Sequence, residues 1–430
     1  MYKNKLNFFH YLLFVYCFFP FSFKPMRIFQ LLLAYGGSFI YVLLNLNFLL
    51  SKIKSKFAYN SMQLFIFMVV FLLIRPLATM DFSYLVHFLG YVRSVFLVLC
   101  VVIICLKHEV ESFEDISRIY INIMCFYVGI SLVLMIPFFR ILWTSVIYQT
   151  EINAEAAESV VYYTRFGLQG FSGWGHTILC SIGVSLFWVL KLNKSKISYF
   201  RFVLLLIGCA CYGRSGLLVS LGCTLIACIY SVKQRKLRYI FFILFIVLFF
   251  LILLFVYMEY FSKEYNAFSW MLEPFVNKIK GNSASSSSNE LKYMYERLDI
   301  ANAKSLLLGD GYYTAPSGKG YYQQVDIGWA RPLLFGGLVF ELAYYFSLLF
   351  LLMSAVQSAP KKIRSIFVTL VFISILILEL KGETYFMVSR VLLLFCFVKE
   401  EKDELLICDK PVYDRWSRKS IFKYCFKYNG

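Results

Sequence analysis

Apolar runs alternate with short polar breaks from one end of the chain to the other. About twelve runs read as membrane spans, near 6–22, 27–50, 61–80, 84–106, 117–143, 174–192, 198–212, 215–232, 238–260, 331–356, 363–380 and 384–398. A helix of roughly 20 apolar residues crosses the ~30 Å hydrocarbon core of a bilayer. The pattern predicts an all-α polytopic membrane protein, with one membrane domain over 1–398 and a charged tail over 399–430. Two polar stretches are too long to be tight connections, at about 144–173 and 261–330. Structureless loops beyond about 15 residues tend to be functional or disordered. The second contains the serine run "GNSASSSSNE", which reads as flexible, and "ELKYMYERLDIANAKSLLLG", which reads as an amphipathic helix stopped by Gly309.

Charge gives the connections a sidedness. Every second connection is basic: "SKIKSKFAYN", "KHEVESFEDISR", "KLNKSKISYFR", "KQRKLR" and "SAPKKIRS". The short connections between them carry very few basic residues. Lysine and arginine concentrate on the cytoplasmic side of membrane proteins, so both termini are expected in the cytoplasm and both long polar loops outside. The opening "MYKNKLNFFHYLLFVYCFFPF" resembles a signal peptide, but no small-residue cleavage site follows, and it reads as an uncleaved first helix.

Composition narrows the function classes. Only 16% of residues are charged, against roughly 25% in soluble domains, which excludes a soluble protein of this length. The net charge of +18 does not imply nucleic acid, because the basic residues sit in short connections and form no stripe with an aromatic platform. Of twelve cysteines, ten lie in apolar runs, while Cys408 and Cys425 lie in the tail. That distribution suits small apolar residues and offers neither a disulfide framework nor metal-ligand spacing. No Walker-type or dinucleotide-binding glycine motif is present. No cofactor and no metal is expected, and an enzyme acting outside, without ATP, needs a substrate activated beforehand.

Ionisable residues at membrane depth or at its rim are costly and point to function. Several map to the outer side. Arg165 ends the first polar loop, and Arg214 lies in the turn "ACYGRSGLLVS". Arg297 closes "ELKYMYER", and Asp326 and Arg331 bracket "DIGWAR". Glu379, Lys381, Glu383 and Arg390 fall in "LELKGETYFMVSR". Most have a plain structural alternative, while Arg390, within apolar sequence, is expected to face a partner or a cavity. Arg214 can snorkel, Arg297 can be a solvated helix charge, Asp326 and Arg331 can be an ion pair, and Lys381 and Glu383 can cap a turn. Together they place arginines at one membrane face, where guanidinium forks suit a diphosphate. The tyrosines and tryptophan of "VVYYTRF" and "GYYTAPSGKGYYQQVDIGW" suit sugar faces, or form an interfacial aromatic belt.

In order and sidedness, five landmarks resemble the O-antigen polymerases (the Wzy type), within the group of bacterial polysaccharide polymerases and O-antigen ligases. They are Arg165, "GRSG", "ER" followed by "LLLGDGYY", an acid ahead of "ARPLLFGGLVFE", and "KGETYFMVSR". They cover about half the chain, and the first five spans match only in topology. The resemblance implies a GT-C-like fold in the bacterial inner membrane and a polymerase of lipid-linked repeat units. Such an enzyme moves a growing glycan from undecaprenyl diphosphate to a sugar hydroxyl on a new lipid-linked unit. By the same analogy Arg214 and Arg297 hold the diphosphate with help from Arg165 and Arg390. Tyr312, Tyr313, Arg331 and Lys381 contact glycan, and Asp326 is the base, with Glu383 the second candidate. The implied partners are undecaprenyl-diphosphate-linked glycans, membrane lipid, a chain-length regulator and a flippase. The segment from "GDGYY" to "ARP" is expected to fold back over the membrane face as a lid or acceptor wall.

Three rival readings differ in their requirements. The ligases use a histidine in the large outer loop, whereas His10, His87, His108 and His176 all lie outside 261–330. A flippase for lipid-linked units also has about twelve spans, and Arg75 and Arg93 in or near spans leave a transport pathway open. The loop of about 70 residues and the lack of an internal repeat favour an enzyme. The third rival is a membrane protein whose loops only bind partners.

Overall fold

The computed structural model describes residues 6–53, 55–149, 165–171, 173–233, 277, 281, 286–300, 303–318 and 320–398. Its helices, in chain order, are α1 (Phe8–Phe18), α2 (Arg27–Leu44), α3 (Leu46–Lys52), α4 (Lys56–Ile74), α5 (Ser83–Lys107), α6 (Phe113–Leu134) and α7 (Pro137–Val146). A two-stranded hairpin follows, β1 (Phe166–Gly167) and β2 (Gly170–Phe171). Then come α8 (Gly175–Leu192), α9 (Tyr199–Tyr212), α10 (Arg214–Lys233), α11 (Ser286–Arg297), α12 (Ala303–Leu308), α13 (Ala330–Ser358), α14 (Lys361–Glu379) and α15 (Tyr385–Phe395). Among the described residues, seven helices are long and apolar enough to cross a membrane: α2, α4 with its 3-10 extension to Ala78, α5, α6, α8, α10 and α13. The chain is a mostly helical, multi-pass membrane protein. The run expected at 238–260 lies outside the described residues, as do most of 144–173, nearly all of 261–285 and the tail.

Helix α8 is the axis of the bundle: 89% of its apolar window is buried, against 11% for α2 at the periphery. It packs against α6, α9, α10, α14 and α15. Lipid offers no hydrophobic drive between helices, so small side chains and hydrogen bonds hold them together. Along α8 the Thr177 hydroxyl meets the Cys209 and Gly213 carbonyls at 3.2 and 3.0 Å. Ser185 faces Ser374 of α14 at 3.4 Å, and the Trp188 indole donates to Thr224 of α10 at 3.0 Å. All ten described cysteines are buried and free, packed as small apolar residues.

The ends of the helices sort into two faces. On one, the His10 and His108 rings are 4.7 Å apart, Lys52 pairs with Glu111 at 3.3 Å, and Ser55 donates to Gln357 at 2.8 Å. This basic face collects the lysine-rich connections that fall within the described residues. The opposite face, called the loop face below, collects residues 79–83, 165–171, 173–174, 213–215, 309–318, 320–329 and 380–384.

Three expected elements differ in detail. The run 117–143 is not one span: α6 ends at Leu134, and Pro137 opens the separate helix α7. Proline at the first helical position needs no amide partner and cannot continue the preceding helix. Phe138, Phe139, Ile141 and Leu142 on α7 are exposed while Arg140 is buried, as in a helix lying along a membrane interface. The amphipathic helix expected over 290–309 is split into α11 and α12 by Leu298–Ile300, and α11 starts at Ser286, inside the serine run. Its Leu291 and Met294 cover a small second core of Val325, Ile327, Ala330 and Leu334.

The third is α13, which breaks at Gly337 (φ 64°, ψ −170°). At the break the Leu334 and Phe335 carbonyls accept the Asp310 and Gly311 amides, at 2.7 and 3.0 Å. Gly309, at φ 68°, ends α12 against this point, and a Cβ there would stand 2.5 Å from the Phe335 carbonyl. A Cβ at Gly337 would collide with the Leu307 carbonyl. Glycine is required at both positions by conformation and by space. Arg75 adds a hydrogen bond to the Gly309 carbonyl at 2.6 Å. The "LLLGDG" segment is therefore a plug that satisfies backbone groups freed by a helix break in the membrane domain.

Candidate functional site

Asp81, at the turn before α5, anchors the loop that follows the plug. One carboxylate oxygen accepts the Tyr313 and Thr314 amides at 2.8 and 3.0 Å, and the other accepts the Ser83 amide at 2.9 Å. Tyr313, held by its amide, turns inward and stacks on Tyr84, with centroids 4.3 Å apart and planes 5° apart. Tyr312 stays half-exposed beside Tyr322, at 5.4 Å. The segment from "GDGYY" to "ARP" does fold back onto the loop face, and its second tyrosine enters the core.

The buried Arg331, in the first turn of α13, is the centre of the site. Its guanidinium lies between two rings, 4.4 Å from the Tyr313 centroid and 3.8 Å from that of Tyr321. Nη1 donates to Asp326 at 2.9 Å and stands 3.4 Å from Glu383, while Nη2 donates to the Tyr313 hydroxyl. Glu383 also accepts the Tyr84 and Tyr313 hydroxyls at 3.0 and 3.3 Å. The two carboxylates differ in access: the Glu383 side chain is 4% exposed and that of Asp326 is 45% exposed. Glu383 is a locked counter-ion, and Asp326 can meet a ligand.

The turn between α14 and α15 brings the next charge. Gly328 leaves room for the Glu379 and Gly382 carbonyls, which a Cβ would strike, so the 326–329 loop lies on the 380–382 turn. Glu379 fixes that turn by accepting the Thr384 amide at 2.8 Å and the Tyr345 hydroxyl at 3.1 Å. Trp174 joins the turn to the start of α10, packing on Gly382 and donating to Ser215 at 3.0 Å. Burial, and then the charges of Arg165 and Arg214, lower the Lys381 ammonium to about 8, while Asp326 acts in the opposite sense. Partial enclosure, and then the Glu383 charge, push the Asp326 carboxyl up to about 7, with Lys381 opposing. Both groups change charge near neutrality, where acid–base chemistry is most effective.

The structure thus groups Arg165, Arg214, Lys381, Asp326, Arg331, Glu383 and Tyr313 at one rim. It does not bring Arg297 or Arg390 to that group. Arg297 is exposed and donates to Gln324 at 3.0 Å. Arg390 is buried in the bundle, where it donates to the Phe386 carbonyl at 2.8 Å and contacts Met387 and the Cys17 carbonyl. His176 is also interior, beside the stacked Phe19–Tyr127 pair and 5.3 Å from each ring. Sequence reasoning missed Asp81, Tyr84 and Tyr321. Asp81 carried a signal: it is an acid in the short connection "ATMDFSY" between two apolar runs. Beside the rim an apolar groove of about 380 Å³ runs between α13 and α14, starting at Trp329, Glu379 and Leu380. Comparison with known protein families, curated proteins and solved structures finds no match for this chain.

Proposed function

We propose that this protein polymerises undecaprenyl-diphosphate-linked oligosaccharide repeat units into O-antigen or a related surface polysaccharide. On this reading it is a metal-independent glycosyltransferase of the Wzy type, with about twelve spans, in a bacterial inner membrane. The loop face is the outer face and both termini are cytoplasmic. One observation carries the reading: the accessible Asp326 carboxylate pairs with Arg331 and feels Lys381, itself under the charges of Arg165 and Arg214, while an apolar groove begins nearby at Trp329 and Leu380. A lipid diphosphate has the complementary parts, an anionic head and a hydrocarbon chain.

The reaction assigned to the rim is a displacement at the anomeric carbon of the donor glycan. Asp326 takes the proton of an acceptor hydroxyl, whose oxygen bonds to that carbon as the bond to the diphosphate breaks. The leaving lipid diphosphate takes up the bonding electrons, and Arg165, Arg214 and Lys381 stabilise its growing charge. Asp326 then loses its proton to water. Arg331 acts as a positioning residue, holding the Asp326 carboxylate at 2.9 Å, and Tyr312 is the tyrosine left available to a sugar face. No nucleotide is needed, because the diphosphate ester is already the activated bond.

Deleting the gene in its host and separating surface and lipid-linked glycans on a gel tests the reading. Loss of the ladder, with a core bearing a single repeat, is the expected result. Single lipid-linked units trapped inside would indicate a flippase instead, and long glycans left on their carrier a ligase. An unchanged ladder in a host with no second copy would overturn the proposal.

A further inference from the structure

A second group of cations lies beyond the β1–β2 hairpin. A cavity of about 360 Å³ opens on the loop face between the end of α1, the start of α2 and α5; Tyr16, Arg27, Tyr35, Arg93, Gln149 and Gln169 are among its walls. The Arg27 guanidinium lies over the Tyr148 ring, 3.6 Å from its centroid, and that of Arg93 lies 5.2 Å from the Tyr35 centroid. Neither arginine has a carboxylate partner among the described residues. Gln149 Nε2 is buried without a hydrogen-bond partner.

Arg93 is ten residues into α5, about 15 Å along the axis from its first residue. Its guanidinium reaches back over Gly90, toward the loop face. Snorkelling accounts for one such cation. Here two exposed cations from different helices, Arg27 at the start of α2 and Arg93 within α5, face one cavity with no carboxylate paired to either among the described residues, an arrangement that an entering anion would balance. Arg390, the arginine that the rim lacks, contacts the carbonyl of Cys17, the residue after Tyr16 of this cavity.

The cavity shares Tyr16 and Phe21 with a mostly apolar groove of about 730 Å³. That groove follows α1 and α2 to His10 and Tyr41, a drop of roughly 16 Å at the rise of an α-helix. We infer that cavity and groove together bind a lipid with a phosphate headgroup, the phosphate between Arg27 and Arg93 and the chain in the groove. Guanidinium forks match phosphate oxygens, and the groove selects a lipid phosphate over free phosphate. The hairpin ties this site to the rim, since Gln169 lines the cavity while Arg165 belongs to the other cluster. Four residues span at most ~14 Å. The inference stands whether or not the rim transfers sugar.

The test is photolabelling of the purified full chain in neutral detergent with farnesyl phosphate carrying a benzophenone at the chain terminus, followed by peptide mapping. Label is expected on α1 or α2, at least tenfold weaker in the Arg27→Gln/Arg93→Gln variant. Unmodified farnesyl phosphate should compete, and farnesol and inorganic phosphate should compete at least tenfold less well. Equal competition by inorganic phosphate would make this a free-anion site, and equal competition by farnesol a greasy groove; either overturns the inference. So does label confined to α13 and α14, or undiminished label in the double variant. If the double variant does not fold, Arg27→Gln alone, checked for a wild-type Tm, must lose label at least threefold for the inference to survive.

Discussion

The rim cluster and the arginine cavity share a face and are separated by one short hairpin, yet they differ in chemistry. At the rim, cations stand among acids: Arg331 is held by Asp326 and Glu383, and Lys381 feels Asp326 as well as two arginines. In the cavity, Arg27 and Arg93 rest on tyrosine rings. An aromatic face attracts a cation without neutralising it, so its charge stays available to an incoming anion. A cluster of both signs can also exchange protons. On this comparison the rim supports turnover, and the cavity retains a ligand without transforming it.

The largest expected effect breaks the comparison if it fails. Asp326→Asn should lower polymer formation by at least ~100-fold, the usual scale for losing a general base, and leave photolabel on α1 and α2 unchanged. Glycan gels and label mapping on one preparation measure both. Arg214→Gln should reduce turnover by about 10- to 100-fold through lost leaving-group stabilisation; a larger loss of label than of turnover would move that arginine to the cavity's account.

A pH profile sharpens the rim side. Asp326 is protonated below about 7, so activity should rise as pH climbs through that value. Lys381 loses its charge above about 8, so activity should fall beyond it, giving a narrow bell. Lys381→Arg keeps the charge at high pH and should carry the falling limb upward by at least one pH unit. A limb that stays in place would remove Lys381 from the mechanism. The smallest effect concerns the scaffold under the rim. Gly309→Ala forces a side chain into a left-handed conformation against the Phe335 backbone and should cost about 2–3 kcal/mol. Gly318→Ala, also left-handed but with open space around it, should cost about 1 kcal/mol. Thermal unfolding in detergent would rank the two.

Seven helices long enough to cross a membrane, of about twelve expected runs, and the gathering of lysines at one end of the helices were legible because apolar length and lysine placement are local properties of the chain. Pro137 shows a signal that was present and overridden: its ring stops a helix, but the apolar residues around it prolong the run. The Asp326–Arg331 pair was visible as a spacing of five residues at a helix start. Tyr313 was visible only as a tyrosine, because its burial depends on Asp81, more than two hundred residues away, holding the backbone that aims it. Arg390 was grouped with the rim because chain order gives depth along a helix and says nothing of which way its side chain turns. That direction follows from the packing of α1, α5 and α6 around α15, which no local pattern encodes.

The break at Gly337 bears on how the molecule is assembled. Amides that satisfy the Leu334 and Phe335 carbonyls come from chain made earlier, on the other side of a long loop. That earlier segment leaves the ribosome with Arg75 and Asp81 already made but without the α13 carbonyls that its amides engage, and α13 enters the bilayer with two carbonyls awaiting donors. Closure of the loop face therefore comes late in biogenesis. A nascent chain halted before α13 should leave residues 303–318 open to protease, and one released after it should protect them.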